Sequence, residues 1–209
     1  MIRTIPPLDR EALEQGLKRL KLRHMREHLE DINELALQEE PSYLDFLAYL
    51  VKREVEGREQ TRRAIRIKAA RFPFYRTIDD FDFTRQNSVS KQTIRDLAGM
   101  EFVRARENVV LLGPPGVGKT HLAVSLGIEA INQGYRVQFI TAQDLSDLLY
   151  SARADGTVTQ TMNKLLRNDL IILDELGYVQ FDTTGSDHLF QIIAKAYENR
   201  SLIVTSNLD

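Results

Sequence analysis

Gly113-Pro114-Pro115-Gly116-Val117-Gly118-Lys119-Thr120 fits the glycine-rich phosphate-binding pattern G-x-x-x-x-G-K-[ST] without a mismatch. Its surroundings decide the fold. The preceding run Asn108-Val109-Val110-Leu111-Leu112 has the apolar, β-branched composition of a buried strand, and residues 119–133 read as a helix. A strand that turns through glycines into a helix N-terminus gathers unpaired backbone N–H groups and the positive end of the helix dipole at one point, which is an anion site. Gly116 and Gly118 let the backbone curl round a phosphate with no Cβ in the way. Lys119 is the point charge expected on the β- and γ-phosphates, and Thr120 the hydroxyl expected on Mg²⁺. His121, next along, either adds a polar contact near the phosphates or belongs simply to the first helical turn.

Working outward from that loop, strands and helices alternate. Strands are expected at 108–112, 136–140, 169–174 and 201–206, and helices at 119–133, 143–153, 158–167 and 185–199. This rhythm predicts an α/β fold, a parallel sheet with right-handed crossovers and flanking helices. The strand Leu170-Ile171-Ile172-Leu173 runs into Asp174 and Glu175. In an open α/β sheet, ligands bind at the carboxyl ends of the strands. Asp174 is therefore placed to hold Mg²⁺ through water, and Glu175 to orient or deprotonate an attacking water. The last strand, Ser201-Leu202-Ile203-Val204-Thr205-Ser206, ends at Asn207. If it lies between the loop strand and the Asp174 strand, Asn207 sits beside the γ-phosphate as a neutral amide sensor.

The 209 residues suffice for one good-sized domain and a smaller one. There is no cysteine, which excludes disulfides and thiol chemistry. No apolar run reaches the length of a membrane span, and the N-terminus lacks the apolar core of a signal peptide, so a cytoplasmic protein without a membrane partner is expected. The net charge of −2 is uneven: residues 52–76 alone hold 9 Lys/Arg against 3 Asp/Glu.

Residues 9–38 read as one helix with a leucine stripe. Pro41 interrupts it, and Ser42-Tyr43-Leu44-Asp45 resembles a capping box that opens a second helix, ending near Phe72-Pro73. On that helix Arg58, Arg62 and Arg66 share a face with Arg63 close by, and Lys52, Arg53, Lys68, Arg71 and Arg76 extend the patch. Such a helix can track a nucleic-acid backbone, with affinity that falls steeply with salt and little sequence preference. An aromatic-rich connector, residues 72–87, follows; its stretch Ile78-Asp79-Asp80-Phe81-Asp82-Phe83 is placed to pack on a nucleotide base. Ser90 then caps a short helix that ends at Gly99. We divide the chain into a helical DNA- or partner-binding domain, residues 1–75, and a nucleotide-binding core, residues 76–209.

Residues 113–123, Leu173-Asp174-Glu175-Leu176-Gly177-Tyr178 and Arg200-Ser201-Leu202-Ile203-Val204-Thr205-Ser206-Asn207 together resemble the IstB family of AAA+ P-loop ATPases, helpers of an insertion-sequence transposase. The resemblance covers nearly the whole chain and extends, more distantly, to DnaC-like helicase loaders. It implies an ATP-dependent regulator that self-associates into an oligomer on double-stranded DNA and stimulates a transposase of the IstA type. Lys119, Glu175 and Asn207 take catalytic roles, Thr120 and Asp174 the metal. ATP is held by Gly113, Pro114, Pro115, Gly116, Val117, Gly118, Lys119, Thr120 and His121. The phosphate-facing amides come from residues 116–120, since Pro114 and Pro115 cannot donate. The family continues past the sensor with a further strand, an arginine finger and a helical part. That comparison predicts an AAA+ module truncated after sensor 1, and weak hydrolysis, because such a finger is worth about 10³–10⁵ in rate. Two alternatives stay open: a helicase loader acting on single strands, and a non-catalytic interaction module switched by ATP.

Overall fold

The computed structural model describes residues 9–84, 89–178, 183–197 and 199–207. The readings of residues 1–7, of the connector's end at Asn87 and of the chain end at Asp209 lie outside the described residues. The chain divides into two compact units, Met1–Arg62 and Arg63–Asp209.

The first unit is helical. Where the leucine stripe predicts one helix there are three: α1 (Arg10–Arg19), α2 (Arg23–Glu27) and α3 (Leu29–Glu39). The first break falls at Lys21, whose φ of 57° is left-handed and ends the i→i−4 ladder, and the second at His28, which leaves the helical conformation between α2 and α3. Asp9 caps α1, its carboxylate accepting from the Glu11 N–H. Helix α4 (Tyr43–Ala70) starts as the capping pattern predicts: the Asp45 N–H donates to the Ser42 hydroxyl, which in turn donates to the Asp45 carboxylate. A Cβ at Gly57 would run into the His24 ring, so glycine there permits α2 and α4 to approach closely. Helix α4 ends at Ala70, and Arg71 (φ 60°) turns left-handed two residues before Pro73.

The second unit is built on a parallel sheet. A single 3₁₀ turn, Ile78–Asp80, precedes α5 (Lys91–Ala98) and α6 (Glu101–Ala105). Ser90 caps α5 by accepting from the Thr93 N–H. Then come β1 (Val109–Leu112), α7 (Lys119–Asn132), β2 (Val137–Thr141), α8 (Ala142–Ala154), α9 (Val158–Leu165), β3 (Leu170–Asp174), α10 (Thr183–Tyr197) and β4 (Ser201–Ser206). The strand order is β1-β4-β3-β2, all parallel. The chain's last strand therefore lies between the loop strand and the Asp174 strand, as the sequence reading requires. Side chains alternate between the two sides. Leu170, Ile172 and Ile203 pack with α7, α5 and the end of α4 (Ile67, Ala70). Ile171, Leu173 and Leu202 pack with α8, α9 and α10. Helices on both faces of a parallel sheet make the three-layer α/β architecture, and β3 is buried along its whole length.

Candidate nucleotide site

The parallel arrangement brings the carboxyl ends of β1, β3 and β4 together. Between them lies a cleft of about 260 Å³ lined by Pro115, Gly116, Gly118, Lys119, Thr120, Glu175, Thr205 and Asn207. Three of these belong to the loop after β1 and two to the start of α7, one follows β3, and two come from β4 and the residue just past it. Larger hollows occur among the helices of the first unit, but they are lined mainly by apolar and surface side chains and hold no such constellation.

The loop is shaped for an anion. Gly113, Gly116 and Gly118 have φ of 147°, 81° and 94°, and a Cβ at Gly118 would come within 2.5 Å of Phe81 Cε2. Gly116 has open space where a Cβ would stand. The Lys119 ammonium is wrapped by the loop, donating to the carbonyls of Gly113 (2.6 Å) and Pro114 (2.9 Å). Val117 Cγ2 would lie 3.6 Å from a Cβ at Gly113, and the Val117 side chain is absent from the lining of the cleft. Lys119 and Thr120 open α7, so the helix dipole points its positive end at the cleft.

Asp174 is buried, and hydroxyls satisfy it. Thr120 Oγ1 donates to Oδ1 and Oδ2 at 2.9 and 3.0 Å, and Thr205 Oγ1 donates to Oδ1 at 2.6 Å. Glu175 is exposed to the cleft; its backbone is left-handed (φ 61°) and its N–H donates to Thr205 Oγ1 at 2.9 Å. Thr205 is a site residue that the sequence reading missed: threonine in a buried strand reads as packing, and its two partners lie about thirty residues away in sequence.

His121 stands away from the cleft. Its Nε2 meets the Thr77 carbonyl at 3.0 Å, and its ring lies edge-on to Phe81 and Phe74. Thr77 and Asp80 form a reciprocal capping box around the 3₁₀ turn. The N–H and hydroxyl of Thr77 hold the Asp80 carboxyl below its ordinary range. The connector is thus fastened to the first turn of α7 through His121 and to Gly118 through Phe81. The pattern Thr77-Ile78-Asp79-Asp80 carried that signal in the sequence.

Seven of the basic residues expected to meet DNA have differing surroundings. Arg58 donates to the buried Glu54 carboxylate (2.6 Å) and to the Lys21 carbonyl (2.7 Å). Burial pushes the Glu54 carboxyl up, but the Met25 N–H and the Arg58 guanidinium outweigh it and hold the group below its ordinary range. Arg63 donates to Asn132 and Tyr75, and Arg66 is half-buried. Arg53 lies over the Tyr49 ring, and Lys52 faces Glu56 at 3.9 Å. Arg62 and Lys68 are exposed. They fall on both sides of the division between the units, with Lys52, Arg53, Arg58 and Arg62 in the first.

A nucleoside triphosphate with Mg²⁺ fits the cleft's donor set. Mg²⁺ keeps most of its ligands as water and phosphate and takes one or two protein oxygens. The Thr120 hydroxyl against Asp174 offers that, and no trio of acidic, His or Cys groups among the described residues would hold a metal unaided.

Fold and cleft together define a P-loop protein of the AAA+ class. The architecture is similar to the crystal structure of the DnaC helicase loader (TM-score 0.53, 26% identity, covering 67% of this chain and 77% of that one). It also matches AMPPCP-bound DnaA from Aquifex aeolicus (TM-score 0.57, 23% identity, 64% of this chain and 42% of that one). The chain thus spans under half the length of that initiator. In sequence it is 40% identical, over 195 residues, to the protein assigned as ATP-binding in insertion sequence IS21 of Pseudomonas aeruginosa, covering 93% of this chain and 74% of that one. The family of IstB-like ATP binding proteins matches residues 15–209, and this chain belongs to it.

Proposed function

We propose that this chain binds ATP with Mg²⁺, hydrolyses it, and uses the bound state to self-associate on double-stranded DNA and stimulate a transposase, as a cytoplasmic protein. The observation that carries this reading is the convergence of Lys119, Thr120, Asp174, Glu175 and Asn207 on one cleft, in a family named for insertion-sequence ATP-binding proteins. The backbone N–H groups of residues 116–120 donate to the phosphate oxygens, and the Lys119 ammonium turns from its carbonyls to the β- and γ-phosphates. Mg²⁺, when bound, neutralises phosphate charge. Glu175 receives the proton of the attacking water, and the Asn207 amide fixes where that water stands. Helix α4, the core of the N-terminal domain at residues 1–75, supplies cations for DNA phosphates from Lys52, Arg53, Arg62 and Lys68. Arg58 and Arg63 support the helix through the contacts described above, and the half-buried Arg66 is less free to reach a phosphate.

The experiment compares duplex with single-stranded DNA, with and without a non-hydrolysable ATP analogue and Mg²⁺, at two salt concentrations. Cooperative duplex binding that needs the analogue, weakens with salt and disappears in Lys119→Ala is expected. Preference for single strands would replace this reading with the helicase loader, which the likeness to DnaC favours. DNA binding and assembly undiminished in Lys119→Ala would leave a non-catalytic module.

A further inference from the structure

We propose that Thr205 is a positioning residue for the hydrolytic step, through a hydroxyl that fixes both carboxylate-bearing residues at the end of β3. This rests on the ATP-hydrolysing reading of the same cleft. Thr205 is buried, and β4 carries it one register step past the pair Leu173↔Val204, which sets it against Asp174. Its single hydroxyl proton goes to Asp174 Oδ1 at 2.6 Å, and its oxygen accepts the Glu175 N–H at 2.9 Å. Two consequences follow. Asp174 is clamped between two threonine hydroxyls, one on β4 and one on α7, so its carboxylate cannot rotate away from Thr120. The Glu175 peptide is held in a left-handed conformation that a non-glycine residue adopts only where the surroundings impose it. That conformation turns the chain at the end of β3 and sends the Glu175 side chain into the cleft instead of along the strand. Because Thr205 and Asn207 sit two residues apart at the end of β4, the segment that reports on the γ-phosphate also sets the aim of the carboxylate that activates water.

The test uses Thr205→Val, which keeps the shape and removes the hydroxyl, and Thr205→Ser, which keeps the hydroxyl and removes the methyl. In Thr205→Val we expect kcat to fall about 10–100-fold, as when an outer partner of a metal-site ligand is lost. KM for ATP should change little, and half-maximal rate should need more Mg²⁺. Thr205→Ser should restore most of the rate. Hydrogen exchange read by NMR gives an arm independent of turnover: the Glu175 amide should be protected in the wild-type chain and lose protection in Thr205→Val, while the amides of Ile171 and Ile172 stay protected. A wild-type Glu175 amide that exchanges freely would overturn the proposal even if Thr205→Val does not fold. So would a Thr205→Val protein with wild-type rate and Mg²⁺ dependence, or a Thr205→Ser protein as impaired as Thr205→Val, which would make the methyl the feature that matters. A wild-type chain that neither binds the ATP analogue nor turns over ATP would overturn the reading of the cleft and this role with it, an outcome distinct from the others.

Discussion

A methyl group on Gly118 would have two obstacles to overcome. The residue sits at φ 94°, where an L side chain is strained, and its Cβ would reach within 2.5 Å of Phe81. The aromatic ring can shift but the backbone cannot, so Gly118→Ala should cost about 1–3 kcal/mol of stability and abolish binding of a fluorescent ATP analogue. Phe81→Ala in the same chain should return only the steric part, which denaturant titration of both single variants and the double variant would separate. No recovery at all would mean that the backbone strain alone is responsible. The glycine was legible in the sequence because the motif encodes its conformation. The phenylalanine was legible only as one of several aromatics in a connector, since its partner lies on another element. Thr205 is the further case: its spacing belongs to an ordinary strand, and its chemistry exists only once β4 is inserted between β1 and β3.

Helix α4 shows where periodicity succeeds and where it stops. The start at Ser42 and the end before Pro73 follow from local rules of capping and proline sterics, whereas the place of β4 between β1 and β3 entered the sequence reading only as a condition. The same rules missed the break at Lys21, because neither glycine nor proline marks it, and the five residues of α6, too few to show a period. They also treated Arg58, Arg62 and Arg66 alike because the three share a face. Packing distinguishes them: Arg58 answers the buried Glu54, whereas Arg62 is exposed. Arg58→Ala should therefore cost about 1–3 kcal/mol, for a buried acceptor left under-satisfied, with solvent around the half-exposed arginine keeping the loss from going higher. Arg62→Ala should stay within about 0.5 kcal/mol of the parent while lowering the slope of log affinity against log salt for duplex DNA by about 1. Equal stability losses in the two variants would show that the Arg58 contacts are solvated and idle.

At the scale of the whole chain, the two units are unequally cored. Among the described residues of Met1–Arg62, Ile32 is the one buried apolar side chain, and Leu44, Leu47, Val51 and Val55 are exposed along α4. Arg63–Asp209 carries a buried cluster on each side of its sheet. So little burial makes a helical unit marginal, and urea should unfold the chain in two steps, the N-terminal unit first. An ATP analogue with Mg²⁺ should leave the first step in place and raise the second, by about 2.7 kcal/mol at a hundredfold excess over Kd. Acid should act on the first step through Glu54. Its folded pKa lies below the ordinary value of 4.5, so the stability that it contributes is complete above that value and disappears as pH falls through the lower, folded one. Asp169 in the second unit is also held below its ordinary range: burial pushes it up, and its bonds with Arg136 more than compensate, so the second step weakens in acid as well. Glu54→Gln separates the two, because it should remove the Glu54 share of the acid sensitivity from the first step and leave the second unchanged. Helical circular dichroism should report both steps, and a tryptophan placed by Tyr150→Trp, on the exposed side of α8, the second alone. Coincident transitions from the two probes, with and without nucleotide, would show that the units unfold as one and that the N-terminal helices draw their stability from the nucleotide-binding core.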